Sequence, residues 1–190
     1  MRVFISVGHG GLDFGAEGYG LKEKDINLDI ALELKLELEK YGIQVGISRT
    51  FDIDNPIAYR IKAANKFVPD LAVDIHTNAG GGKGFEVYVS TGRYKNDEKL
   101  AARLIEEEVK KEGKHSRGIK TKLDTEGKDY FGFLREVNFP SLILESAFID
   151  SKDVKNIDTK DKRKAYAKAY ARGIIRYLGT KGLSCVKAAS

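Results

Sequence analysis

Residues 25–41 read DINLDIALELKLELEKY, and whether they form a strand or a helix decides the fold. Ile26, Leu28, Ile30, Leu32, Leu34, Leu36 and Leu38 alternate with polar residues, which is the period of a strand. As a strand, positions 26–38 would extend about 40 Å, far beyond the usual five or six residues. The Glu, Lys, Leu and Ala content suits a helix instead, so Asp25–Tyr41 is read as one. Its apolar residues then resolve into two i,i+4 stripes, Ile26/Ile30/Leu34/Leu38 and Leu28/Leu32/Leu36. These lie on broadly opposed faces, as in an element covered on more than one side.

Helical composition recurs at Pro56–Phe67, Asp97–Glu112 and Asp161–Leu178. Short β-branched and aromatic runs bounded by Gly, Pro, Asn or Asp predict strands at Arg2–Val7, Gln44–Arg49, Leu71–Ile75, Phe85–Ser90, Gly118–Thr121, Phe131–Leu134 and Ser141–Glu145. Strands alternating with helices of that length require crossover connections. The expected fold is therefore α/β: a single domain with a mostly parallel twisted sheet of about six strands and helices on both faces. In Asp97–Glu112 the apolar residues Leu100, Leu104, Ile105 and Val109 make one stripe, and the opposite face is expected to be solvated. Residues 1–179 are expected to form the domain and residues 180–190, which lack periodicity, a C-terminal tail or the start of a linker.

The 190 residues suffice for one core, and 42% hydrophobic with 32% charged residues excludes a disordered or fibrous chain. Nowhere do about 18 apolar residues follow one another, so neither a membrane-spanning helix nor the apolar region of a signal peptide is present, and synthesis in the cytoplasm is expected. The one cysteine, Cys185, forms no internal disulfide and is expected to be inert. Any metal site must therefore use His, Asp and Glu. The net charge of +5 favours anionic polymers. With no arginine-rich arm, zinc-finger spacing or basic-aromatic strand motif, nucleic acid is not an expected partner.

The glycine-rich stretch Gly8-His9-Gly10-Gly11-Leu12-Asp13-Phe14-Gly15 follows the first strand, where phosphate loops are found in doubly wound sheets. It fails as one: Asp13 stands where a dinucleotide fingerprint needs glycine, and no glycine precedes Lys-Ser or Lys-Thr. Of the three histidines, His9 and His76 each come directly after a strand, while His115 is expected on an exposed loop. The carboxyl ends of strands in an open sheet line one crevice, so His9 and His76 converge there. Glu23 ends the loop that begins at His9, just before the first long helix. Glu145 follows Leu142-Ile143-Leu144 in a buried strand, where a carboxylate must be paired, metal-bound or shifted in pKa. Two imidazoles and a carboxylate with one open position make a catalytic zinc arrangement, and a further carboxylate supplies a base. Asp13, Asp74 and Asn78 stand close by without an assigned task.

From about Val3 to Leu178 the chain resembles the zinc-dependent N-acetylmuramoyl-L-alanine amidases of the amidase-3 type, found among bacterial wall hydrolases and phage endolysins. Five ordered blocks carry the resemblance: Gly8-His9-Gly10-Gly11 with Gly15-Ala16; Leu21 to Leu28; Ser48-Arg49 with Arg60 and Ala64-Asn65; Asp74 to Ala79 with Gly84 to Tyr88; and Pro140 through Leu144-Glu145-Ser146-Ala147-Phe148-Ile149. It implies that His9, Glu23 and His76 hold one zinc ion, that Glu145 is the catalytic carboxylate, and that the substrate is bacterial peptidoglycan.

Two departures stand out. Relatives commonly carry Asp-Pro where this chain has Ser6-Val7, and Ser where it has Asp74. Neither position is a ligand. The span from Tyr88 to Pro140 is too short for a long inhibitory helix, so an open site is expected. The absence of a signal peptide favours an endolysin, which acts on the wall after release and whose relatives often add a C-terminal wall-binding module, absent from this sequence. Two other readings stay open from the residues: a zinc peptidase cutting within the stem peptide, and a non-catalytic wall-binding module.

Overall fold

The computed structural model describes residues 1–92 and 94–188, with side chains as far as Lys181. A six-stranded sheet has the order β4 (Gln44–Ile47), β1 (Arg2–Val7), β5 (Leu71–Asn78), β8 (Ser141–Phe148), β6 (Phe85–Val89) and β7 (Ser116–Lys120). The first four run parallel, β6 is antiparallel to β8, and β7 is parallel to β6. The mostly parallel α/β architecture expected from the sequence is therefore present. A two-stranded ribbon, β2 (Glu17–Gly18) with β3 (Leu21–Lys22), leads into the first helix.

Strand alternation sends Val3, Ile5 and Val7 to one face and Phe4 to the other. On the first face α1 (Glu23–Glu39), α3 (Lys95–Lys111) and α5 (Lys160–Ala188) bury the main core. On the second, α2 (Ile57–Phe67) and α4 (Gly132–Glu136) cover β1 and β8 with a smaller cluster of Phe4, Ile61, Ala64, Phe133 and Val137. The half of this second face above β6 and β7 carries polar side chains. No described helix is long and apolar enough to cross a membrane.

The helical reading of residues 25–41 holds, with α1 beginning at Glu23 rather than after it. Of its two stripes, Ile26, Ile30, Leu34 and Leu38 are fully buried, whereas Leu36 of the second is 55% exposed. Packing against α5 covers only part of that second side. Phe131–Leu134, expected as a strand, instead caps and opens α4. Four apolar residues do not distinguish the two periods, and one helical turn puts Phe133 and Leu134 inward together. The last helix runs past Leu178 to Ala188. The side chain of Cys185 and all of residues 189–190 lie outside the described residues.

Candidate metal centre

His9 sits just beyond β1, Glu23 opens α1 and His76 lies on β5, and the fold brings all three to the carboxyl end of the sheet. One ligand atom from each lies within 4.8 Å of the others, so the cluster could hold a metal ion. Glu23 is the hinge of the arrangement. Its Oε1 is 2.9 Å from His76 Nδ1, and its Oε2 is 3.3 Å from His9 Nε2. The backbone N–H groups of Ala16 and Thr77 and the side chain of Asn27 donate to the same carboxylate at 2.9, 3.0 and 3.2 Å. Asn27 is one helical turn after Glu23 and also accepts from the Thr77 hydroxyl.

Each imidazole turns its other nitrogen to a carboxylate. His9 Nδ1 is 2.8 Å from Asp13 Oδ2, and His76 Nε2 is 3.3 Å from Asp74 Oδ2. Such outer carboxylates fix ring orientation and raise ligand basicity in metal sites. Asp74 is itself clamped: Ser6 donates to its Oδ1 at 2.6 Å, and Arg60 Nη1 at 2.5 Å. Asp13 and Asp74, left without a task by the sequence, are thus placed behind the two histidines. In the sequence Arg60 stands only in a resemblance block and Ser6 only as a departure from the family pattern; the β1–β5 register that faces Ser6 with Asp74 is what joins them to the site.

Local backbone explains why the ligands can come so close. His9 adopts a left-handed conformation, φ 61°, which costs of order 1–3 kcal/mol and persists only when the surroundings impose it. A Cβ on Gly8 would lie 2.5–2.7 Å from three atoms of the His76 ring. Gly15, with φ +67°, would place one 2.7 Å from both Glu23 Oε2 and a His9 ring carbon.

Charge sorts the acids. Burial pushes Glu23 up, but its contacts with His76 and His9 outweigh this and hold it far below the usual carboxylate range. Burial lowers His76, yet Asp74 and Glu23 leave it well above its ordinary value, and His9 is raised in the same way by Glu23. Glu145 pairs in register with His76 across β5 and β8. Burial, opposed by His76 and reinforced by Glu23, Asp74 and Glu86, pushes its carboxyl up to about 7. Its buried Oε2 has no hydrogen-bond partner in the protein. A cavity of about 350 Å³, walled by Ile57, Arg60, Tyr130, Phe131 and Ile143, opens directly onto Glu145 and His76. A cluster of imidazole and carboxylate donors beside a carboxylate with a free oxygen fits a divalent metal of the zinc type. His115 is exposed and stands apart from this centre.

The model of the amidase-3 family, N-acetylmuramoyl-L-alanine amidase, matches residues 3–176. The chain belongs to this family. It is 35% identical over 179 residues to the N-acetylmuramoyl-L-alanine amidase CwlM of Bacillus licheniformis, covering 93% of this chain and 68% of that protein. It is likewise 35% identical over 190 residues to the endolysin of Bacillus phage SPP1, covering 94% of this chain and 66% of the endolysin. The fold superposes on the crystal structure of an N-acetylmuramoyl-L-alanine amidase from Clostridium difficile 630 with a TM-score of 0.85 and 31% identity, covering 95% of this chain and 97% of that one. The chain thus spans about two thirds of the two sequence relatives and nearly all of this structural one. With the family in hand, the six-stranded, mostly parallel sheet is an amidase-3 fold.

Proposed function

We propose that residues 1–179 form the catalytic domain of a zinc-dependent peptidoglycan amidase, with His9, Glu23 and His76 as the ligands of one zinc ion and Glu145 as the proton carrier. The bond cut is the amide between the lactyl group of N-acetylmuramic acid and L-alanine. The observation that carries this reading is the convergence of three donors beside a carboxylate poised near neutrality. Three protein ligands leave a position open for substrate chemistry. A bound zinc ion supplies Lewis acidity to the scissile carbonyl and acidifies water.

The protein's own residues do the rest. Glu145, which lines the cavity and has an Oε2 without a partner in the protein, orients the attacking water and takes its proton. The protonated Glu145 then returns that proton to the departing alanine amine, a transfer worth about 10²–10⁴-fold in comparable enzymes. Amide nitrogen is a poor leaving group, so the second transfer matters as much as the first. Asp13 and Asp74 keep the two imidazoles turned inward. Similarity to a phage endolysin supports synthesis in the cytoplasm and action on the wall after release.

Digestion of purified peptidoglycan with and without a zinc chelator tests the proposal. New N-terminal alanine without new reducing sugar, lost with chelator and restored by zinc, supports it. A different new amine would indicate a stem-peptide peptidase, and binding without new ends a wall-binding module.

A further inference from the structure

Glu86 lies on β6 directly opposite Glu145 of β8, so both side chains share the second face of the sheet. Phe85, Val87 and Val89 turn to the opposite face and enter the core under α3. Glu86 is buried at 2% exposure and gathers four donors. Arg117 Nε and Lys120 Nζ, both from β7, meet its Oε1, the lysine at 2.6 Å. Tyr88 and Asn78 donate to Oε2 at 3.1 and 3.2 Å. Burial pushes Glu86 up, but Lys120 and Arg117 outweigh it and keep the carboxylate ionised.

One carboxylate between two cations leaves a surplus positive charge. Arg117 spends a single N–H on Glu86 and its side chain is 40% exposed; Lys120 is 30% exposed. An arginine carries five N–H donors and a lysine three, so most of this donor capacity is not used on Glu86. Tyr88 packs edge-on against Phe131, which lines the cavity at Glu145. Its hydroxyl is pushed up to about 12 by burial and by Glu86, and remains a donor.

We propose that Arg117 and Lys120 form a recognition notch for a free carboxylate on the peptide side of the substrate, one residue beyond the scissile amide. The proposal rests on the amidase reading above. Glu86 acts as the anchor that holds both cations at the edge of the sheet while neutralising only one. Strands lie about 4.8 Å apart, so the two steps from Glu145 to β7 cover about 10 Å. An extended peptide advances about 3.3 Å per residue. Starting at the scissile amide, the residue after alanine thus brings its carboxylate within reach of the two long side chains. In a stem whose second residue is glutamate linked through its γ-carboxyl, that group is the free α-carboxylate; where the position is amidated it is neutral.

The test compares two soluble substrates on the intact protein, MurNAc-L-Ala-γ-D-Glu-L-Lys with either a free or an amidated glutamate α-carboxyl. The readout is the acid-to-amide ratio of kcat/KM. A charge-assisted hydrogen-bonded pair gives the wild type a preference for the acid of roughly 10- to 100-fold. Lys120→Met, which leaves Arg117 to neutralise Glu86, and Arg117→Gln should each reduce the ratio to within about threefold, through KM for the acid. A ratio measured on one sample is independent of how much of the protein is folded, so partial destabilisation does not obscure it. Equal cleavage of acid and amide by the wild type, or an unchanged preference in both variants, overturns the notch and leaves the amidase reading standing. Absence of a new N-terminal alanine from both substrates overturns the two together.

Discussion

Replacing Glu145 with glutamine should abolish turnover and, in the metal-free protein, raise stability at alkaline pH. The carboxyl is pushed from its ordinary 4.5 up to about 7, chiefly by burial. The folded state therefore binds a proton that the unfolded chain has already released, and stability falls as pH rises from about 4.5 through 7. A difference of about 2.5 units at about 1.4 kcal/mol each sets an upper bound near 3.5 kcal/mol. The side chain retains some exposure to the cleft, which reduces the figure to about 2 kcal/mol. Glutamine, isosteric and uncharged, escapes this cost. For a domain of this size about 2 kcal/mol corresponds to roughly 4–8 °C in Tm. Thermal melts of chelator-treated wild type and Glu145→Gln at pH 5 and pH 8.5 should coincide more nearly at the first and separate at the second. Zinc should narrow the gap, because a nearby dication favours the ionised carboxylate. A variant no more stable than wild type at pH 8.5, or a gap independent of pH, would refute the assignment of Glu145 as a strained, near-neutral acid.

Gly8→Ala should lower zinc affinity by at least tenfold, because the added Cβ occupies the space of the His76 ring; competition with a chromogenic chelator measures it, and unchanged affinity would count against the packing argument. Asp74→Ser should cost about 3–5 kcal/mol in urea melts, since it strips the buried Arg60 of its carboxylate. Adding Ser6→Asp to that variant should recover part of the loss, because positions 6 and 74 face each other in register; a double variant no better than the single would contradict the pairing. Acid should release zinc, as protons compete for His9 and His76, whose raised affinity for protons moves the onset toward neutral pH. Equilibrium dialysis between pH 8 and 5 follows this directly, and retention of the ion throughout would argue against imidazole ligation.

The alternation of strands and helices was legible because composition and length outweighed the misleading period of residues 26–38. The gathering of His9, Glu23, His76 and Glu145 was legible as well, since strand ends in an open sheet converge. Pairing between distant strands was not. Ser6 and Asp74 read as two unrelated departures from the family pattern, yet in the fold they are one hydrogen-bonded pair beneath His76. Glu86 lies some thirty residues from Arg117 and Lys120, and the β6–β7 register brings them together. The turn at Phe131–Leu134 was too short for its period to speak, and packing on Phe4 and Ile61 decided it.

Stepwise zinc return to the chelated protein tests one metal, three ligands and one proton carrier in a single titration. Release of N-terminal alanine from peptidoglycan should rise linearly and level off at one zinc per chain. Glu145→Gln should bind the same single ion and release no alanine, while His76→Ala should fail at both. An active Glu145→Gln protein, or alanine release by wild type without zinc, would contradict the account.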